Sequence, residues 1–335
     1  VPGVPLTWTG SVGRGTLDPE SSAWTRELAK LYGGQEPVVA ISQVAFDGAS
    51  NTRITMPPLT LNNVEDLQSF KFAGLQGQFQ VGPRGAAVQG DMTVSSLEAV
   101  GKPEVAGEGQ PAASHLRLDL RDLVMTVNQR KGAFNLMLGD SSFKIGELRI
   151  QDPATGVPVI LTNLGMDATA ALNAQNPQQV DVEALFKADK ITADPWSGTG
   201  SMRLAFRNLD GAATAQLQEW QQSMAAKPDD PQALDELLKL VKALLRGKPE
   251  FVFDTQAKLT QGDWQGKLTL NFQDFGEIDP LQNPAGLLGA LEKGLAEIAV
   301  SKTLAETVLT SMAREQILAQ AGEQGEQLGE QAIQG

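Results

Sequence analysis

The sequence predicts an α+β fold: an extended, twisted antiparallel β-sheet with a helical hairpin and a long C-terminal helix packed on it. Three observations carry this. Most of residues 37–208 alternates apolar and polar side chains with period two, as half-buried strands do. A local pattern of glycine followed by apolar residues at every second position recurs along the chain. Two stretches, near 211–247 and beyond 286, change to helical spacing.

A short helix is expected over 20–31, where Asp18-Pro19 precedes Trp24, Leu28 and Leu31. The clearest strand is His115-Leu116-Arg117-Leu118-Asp119-Leu120-Arg121, with leucines on one face and charges on the other. Its phase slips at Asp122, because Leu123, Met125 and Val127 continue the apolar face on odd positions. A one-residue slip turns every side chain over, so a bulge is expected near Asp122. Gln129-Arg130-Lys131-Gly132 then reverses the chain into Phe134, Leu136 and Leu138, a hairpin.

The glycine pattern occurs at Gly77-Phe79-Val81, Gly90-Met92-Val94, Gly132-Phe134-Leu136, Gly146-Leu148-Ile150, Gly200-Met202-Leu204 and Gly266-Leu268-Leu270. Glycine lets a chain leave a turn at positive φ, and the alternation that follows lays an apolar stripe against a core. Trp196-Ser197-Gly198 leads into Met202, Leu204 and Phe206, and Trp264-Gln265-Gly266 into Leu268, Leu270 and Phe272. The copies are unevenly spaced, so they form a meander and not a solenoid. The Gly-, Pro- and Glu-rich segment 100–114 reads as a mobile loop.

Asp210 is a good N-cap for a helix over 212–226, with Leu217, Trp220 and Met224 on one side. Lys227-Pro228-Asp229-Asp230-Pro231 breaks it. Asp230 and Pro231 open a second helix, whose stripe runs from Leu234 through Leu238 and Val241 to Leu245 before Gly247 and Pro249 end it. A long helix is expected from Gly286 through Leu287, Leu291, Leu295, Ile298, Leu304, Val308 and Met312, fraying beyond Arg314 into a tail without basic residues. The resulting division is a β-meander over 1–209, a helical hairpin over 210–249, a returning β-hairpin over 250–276 and a C-terminal helix over 277–335.

Composition removes whole classes of function. Hydrophobic residues make up 41% of the 335-residue chain, enough for a sizeable core. The 27 basic and 40 acidic side chains leave a net charge of −13, and no basic stripe is present to replace counterions on nucleic acid. With no cysteine and one histidine, disulfides, thiolate catalysis and two-imidazole sites cannot be assembled. No apolar run reaches the 18 or so residues of a membrane span. The chain opens at Val1-Pro2 without Met, which reads as a trimmed terminus with a signal or anchor segment as the expected loss.

Enzyme-like strings do not hold together. Ser141-Ser142-Phe143-Lys144 has the Ser-x-x-Lys spacing of penicillin-binding proteins, but its flanks read as strand, where an offset of three places the two side chains on opposite faces. His115 sits on a charged strand face, as a solvated histidine does. Asp181 and Glu183 share a face and could lend oxygens to Ca²⁺, yet no Asp-rich loop accompanies them. Neither Gly262–Lys267 nor Gly10, Gly13 and Gly15 has the spacing of a nucleotide loop. No catalytic residue, metal or cofactor is therefore assigned.

What remains is a surface. The stripe residues Phe134, Leu136, Met202, Leu204, Phe206, Leu268, Leu270 and Phe272 are expected to line one apolar sheet face. Such a face must be covered by helices, a second sheet or a ligand. A C-terminal helix of some thirty residues spans roughly 45 Å and would seal it. An open groove for acyl chains is the alternative.

The order of features is itself informative: Phe46-Asp47-Gly48 before an extended Pro57-Pro58 segment, glycine-led strands, Asn208-Leu209-Asp210 opening a helical hairpin, a Trp-x-Gly strand and a C-terminal helix. This order resembles the YdgA-like family of bacterial envelope proteins, a family of unknown function. The resemblance implies one N-terminal membrane-spanning helix, with the remainder in the periplasm of Gram-negative bacteria, and it supplies no catalytic residues. The expected function is a non-enzymatic periplasmic binding module, tethered to the inner membrane, whose partner is an envelope protein, lipid or a second copy of the chain. The alternative is a carrier of lipid or another apolar ligand in a groove of the sheet.

Overall fold

Fifteen strands, every pairing antiparallel, form one sheet in a computed structural model that describes residues 11–18, 20, 22–64, 66–102, 116–151, 157–226, 233–273 and 289–321. The first strands are short: β1 (Ser11–Thr16), β2 (Val39–Val44), β3 (Ser50–Met56), β4 (Leu59–Val64), β5 (Leu67–Phe72) and β6 (Leu75–Val81). Six strands of 15 residues follow: β7 (Ala87–Gly101), β8 (Arg117–Lys131), β9 (Met137–Gln151), β10 (Pro158–Leu172), β11 (Gln179–Ala193) and β12 (Trp196–Asp210). After a helical hairpin the sheet resumes with β13 (Glu250–Leu259), β14 (Gly262–Phe272) and β15 (Leu291–Val300). The order is β1-β2-β3-β6-β7 and then sequential to β15, with the β4–β5 hairpin beside β6 on the same edge of β7.

The long strands β7–β12 present mainly apolar side chains to one face and mainly polar ones to the other. The register makes the apolar rows continuous: Met92, Met125, Phe143, Met166, Phe186 and Met202 are paired across six successive strands. On the opposite face run Thr93, Val124, Lys144, Gly165, Lys187 and Ser201.

The slip expected at Asp122 is present, and it belongs to a line of slips. Cα pairing jumps over Ser95, Asp122, Gly146, Asn163 and Asp189 on β7 to β11. One extra residue in a single strand would turn the rest of that strand over. One extra residue at the same level in five neighbours preserves their mutual register and keeps both halves of each strand apolar on the same side. Asp122 and Asn163 adopt φ of 54° and 49°, a left-handed conformation that Asp and Asn tolerate better than most residues. Gly146 gives Asp122 room, since a Cβ there would lie 3.0 Å from the Asp122 Cβ. Asn163 Nδ2 donates to Asp189 Oδ2 at 3.1 Å. At one end the line meets the β5–β6 junction, where the Ala73 amide donates to the Ser96 carbonyl. At the other, β12 absorbs it as a β-bulge between Ala188 and Ile191.

Bulges bend strands, and here the bend follows the line. Val94, Ile145 and Ala188, apolar residues beside it, are buried, whereas Ile150, Val159 and Phe206, farther away on the same face, are 38–45% exposed. The sheet is thus creased toward its apolar side.

The helices meet the sheet at its margins. α1 (Ala23–Leu31) starts at a Ser22–Thr25 capping box, and Tyr32 after it donates its hydroxyl to the Pro57 carbonyl at 3.2 Å. α2 (Gly211–Ala226) is capped as expected, the Ala213 amide donating to Asp210 Oδ1 at 2.8 Å. α3 (Ala233–Leu245) closes with the Gly247 amide on the Leu244 carbonyl. Asp230 and Pro231, segment 103–115 with His115, and residues 1–10 lie outside the described residues.

Three expectations are corrected. The expected C-terminal helix does not run through 291–300: these residues are strand β15 and the helix, α4, spans Lys302–Ala321, while Gly286 and Leu287 lie outside the described residues. The spacing of Leu291, Leu295 and Ile298 suits a helix, but pairing with the open edge of β14 overrides it. Nor does α4 lie across the sheet. Ser301 caps it, receiving the Leu304 amide, and docks it beside β14 by also receiving the Asp263 amide at 3.1 Å, while Leu309 and Met312 stay exposed. Second, Gly77, Gly90, Gly132, Gly146, Gly200 and Gly266 do not have positive φ. They make room instead: a Cβ on Gly90 would sit 2.4 Å from the Gln78 carbonyl oxygen and 2.5 Å from the Phe79 ring. Third, Phe134 and Leu136 are not on a strand stripe. They lie in the β8–β9 turn, with Phe134 at φ 58° and its ring against Gly211 at the start of α2.

Candidate apolar binding face

Of the predicted stripe, Met202, Leu204 and Phe206 on β12 and Leu268, Leu270 and Phe272 on β14 share the apolar face. Phe253 of β13 stands between Leu204 and Leu268, and Phe251 between Phe206 and Leu270. The Phe206 and Phe251 rings pack tilted, with centroids 5.0 Å apart. Phe134 and Leu136 are outside this group.

The face extends well past the predicted residues. Phe143, Met166 and Phe186 continue it at mid-sheet, and Leu97, Leu120, Leu148, Leu161 and Ile191 form a row beyond the crease. The alternation that reveals them is visible in sequence, but the slips at Gly146 and Asn163 put the two halves of each strand on opposite parity. Fifteen-residue strands are about 50 Å long, and six of them span about 29 Å, so the central part has a footprint on the order of 1,400 Å², on which most of the apolar side chains are half-buried. No described helix runs over the middle of this face: α2 and α3 sit where β11 begins and β12 ends, and α4 beside the start of β14.

The opposite face is wet. Lys187 and Asp167, Arg203 and Glu183, and Arg207 and Glu250 pair at 3.9, 2.9 and 3.1 Å, the last two pairs half-buried. Arg117 Nε donates to Asp119 at 2.8 Å, and this bond raises the Arg117 pKa. Hollows on this side are open, such as one of about 420 Å³ bordered by Gln43, Asn51, Gln80 and Gln89 and, at the turns, by Ala45, Ala49, Val81 and Ala87.

The polar candidates separate. Ser141 and Lys144 project to opposite faces of β9, Ser141 beside Ala168 and Lys144 beside Gly165. Asp181 and Glu183 do not converge on a cation: Glu183 binds Arg203, and Asp181 holds the chain. Asp181 Oδ1 accepts the Asn208 amide at 2.8 Å, and both its oxygens accept from Asn173 Nδ2. Asn173 is buried, and its own Oδ1 accepts the amides of Gln175 and Asn176. Asp181 thereby fixes the left-handed Asn208 (φ 60°) and the β10–β11 turn. Asp181→Ala is expected to lower stability by about 2 kcal/mol, through loss of charge-assisted bonds to the chain, read as a shifted urea midpoint. An unchanged midpoint would mean that water replaces the carboxylate. Among the described residues no group of three His, Asp or Glu is placed to hold a metal ion, and no helix is long and apolar enough to cross a membrane.

Compared with known proteins, the chain matches no curated protein and no solved structure. A family model described as a bacterial protein of unknown function, DUF945, matches residues 9–335.

Proposed function

Because the chain belongs to DUF945, a bacterial family of unknown function, no inherited activity constrains the reading, and we propose that it is a non-enzymatic binder of lipid or a similar apolar ligand. The observation that carries this is the creased apolar face, over whose middle no helix runs among the described residues. Of the two outcomes expected for that face, sealed by the C-terminal helix or open to acyl chains, the position of α4 beside β14 favours the second. Burial of one ligand CH₂ is worth about 0.8 kcal/mol, so a chain of a dozen methylenes along the crease suffices for stable binding.

In the same reading the protein is a YdgA-like envelope protein, periplasmic and tethered to the inner membrane. Ser11 pairs with Val44, so an anchor preceding Ser11 would hold the β2–β3 end near the bilayer.

Native mass spectrometry of protein purified without harsh detergent tests the proposal. Adducts with phospholipid masses are the expected result, and a clean mass of the bare chain from the same preparation overturns it.

A protein partner is the second reading, and β15 favours it. Among the described residues this edge strand leaves one side of its backbone unpaired, and Ile298 is 69% exposed. Exposed edges accept strands from other chains.

A further inference from the structure

One end of the sheet differs in chemistry from the rest of an acidic chain. It is built from the β2–β3, β6–β7 and β8–β9 turns, which adjoin one another. A Cβ on Gly48 would lie 3.5 Å from the Arg84 backbone nitrogen, and the Lys131 amide donates to the Ala86 carbonyl at 2.7 Å. Phe46, at the tip of β2–β3, is 79% exposed, the most of any large apolar side chain among the described residues. Near it stand Arg84, Arg130 and Lys131, all exposed and, among the described residues, in no ion pair. The acid at the β2–β3 tip, Asp47, already accepts the Ala49 amide at 2.9 Å. Arg84 is held at φ 52°, a conformation costly for a residue with a β-carbon.

An exposed aromatic ring at the same end of the sheet as three cations, one in the β6–β7 turn and two at the end of β8, matches the interface of an anionic bilayer. The ring enters the boundary between headgroups and acyl chains, and the cations face phosphate. A chain of net charge −13 is repelled by such a surface as a whole. Only a locally cationic end can approach, which also fixes the orientation: the long strands rise from the membrane and the lower margin of the apolar face meets lipid.

We propose that this end, with Phe46 inserted and Arg84, Arg130 and Lys131 on the headgroups, docks on an anionic bilayer and opens the apolar face to its acyl chains. The docking stands on this end alone; the passage of acyl chains rests on the lipid reading above.

Sedimentation with vesicles of mixed phosphatidylglycerol and phosphatidylethanolamine, against vesicles of phosphatidylcholine, tests it. The wild type is expected to partition onto the anionic vesicles, less so as salt rises. The variant Arg84→Glu/Arg130→Glu/Lys131→Glu should lose at least about tenfold in partition. A control with the same change of charge elsewhere, Lys190→Glu/Lys258→Glu/Lys267→Glu, should lose far less. Phe46→Ser, which leaves every charge in place, should weaken partition several-fold and decides the matter if the triple variant does not fold. Equal loss in the triple variant and its control, full binding by Phe46→Ser, or equal binding of the wild type to both vesicle types overturns the docking. A wild type that docks on anionic vesicles yet emerges without bound lipid supports the docking and overturns the carrier reading.

Discussion

Alanine at Gly198 is expected to cost the sheet more than about 3 kcal/mol, one of the largest penalties available to a single methyl group in this chain. The added Cβ would lie 2.0 Å from the Lys258 carbonyl oxygen and 2.7 Å from the Leu259 Cα. Both are backbone atoms of the neighbouring strand, so no rotamer change relieves the clash. β12 and β13 must part at Gly198–Leu259, next to the pairing of Gly200 with Ala257. Gly165→Ala is the matching control: there a Cβ meets the flexible Lys187 side chain at 3.5 Å, an ordinary contact. Its urea midpoint should stay within about 1 kcal/mol of wild type. Equal midpoints for the two variants would show that the approach of β13 to Gly198 is not as close as described.

The second large effect concerns occupancy, not stability. Met125 and Phe206 lie on the apolar face at 39% and 45% exposure, outside the buried row beside the crease. Met125→Glu/Phe206→Glu therefore puts two carboxylates where water still reaches them in the free protein, and the fold should survive, as circular dichroism will report. An acyl chain lying on the face would strip that water, and desolvating a carboxylate costs several kcal/mol. Lipid adducts in native mass spectra should fall at least about tenfold. Unchanged adducts in a folded double variant would remove the apolar face as the binding surface.

Strand alternation, the phase slip at Asp122 and the Asp210 cap were all readable because each is a short-range signal. What was not readable depended on neighbours in space. The residues 291–300 carry spacing that suits a helix, and only the unpaired edge of β14 decides for a strand. Ser301, three residues before Leu304, was the local sign of where α4 begins. The strand glycines looked like turn residues, but their reason lies across the ladder, in the Phe79 ring beside Gly90 and the Lys258 carbonyl beside Gly198. Half of the apolar face stayed hidden because Gly146 and Asn163 exchange odd for even positions within a strand. Phe46 stands in a legible motif, while Arg84, Arg130 and Lys131 reach the same end of the sheet from two other places in the chain, the β6–β7 turn and the end of β8.

The aligned slips resemble a dislocation in a crystal more than a set of independent defects. Deleting Asn163 alone would set β10 out of step with β9 on one side and β11 on the other, turning one half of that strand's greasy side chains to water. Removing one residue from all five strands together would leave every ladder intact and simply flatten the fold line. Length changes at this level of the sheet are thus tolerable only in concert, which makes the crease a property of five strands that no one of them can gain or lose alone.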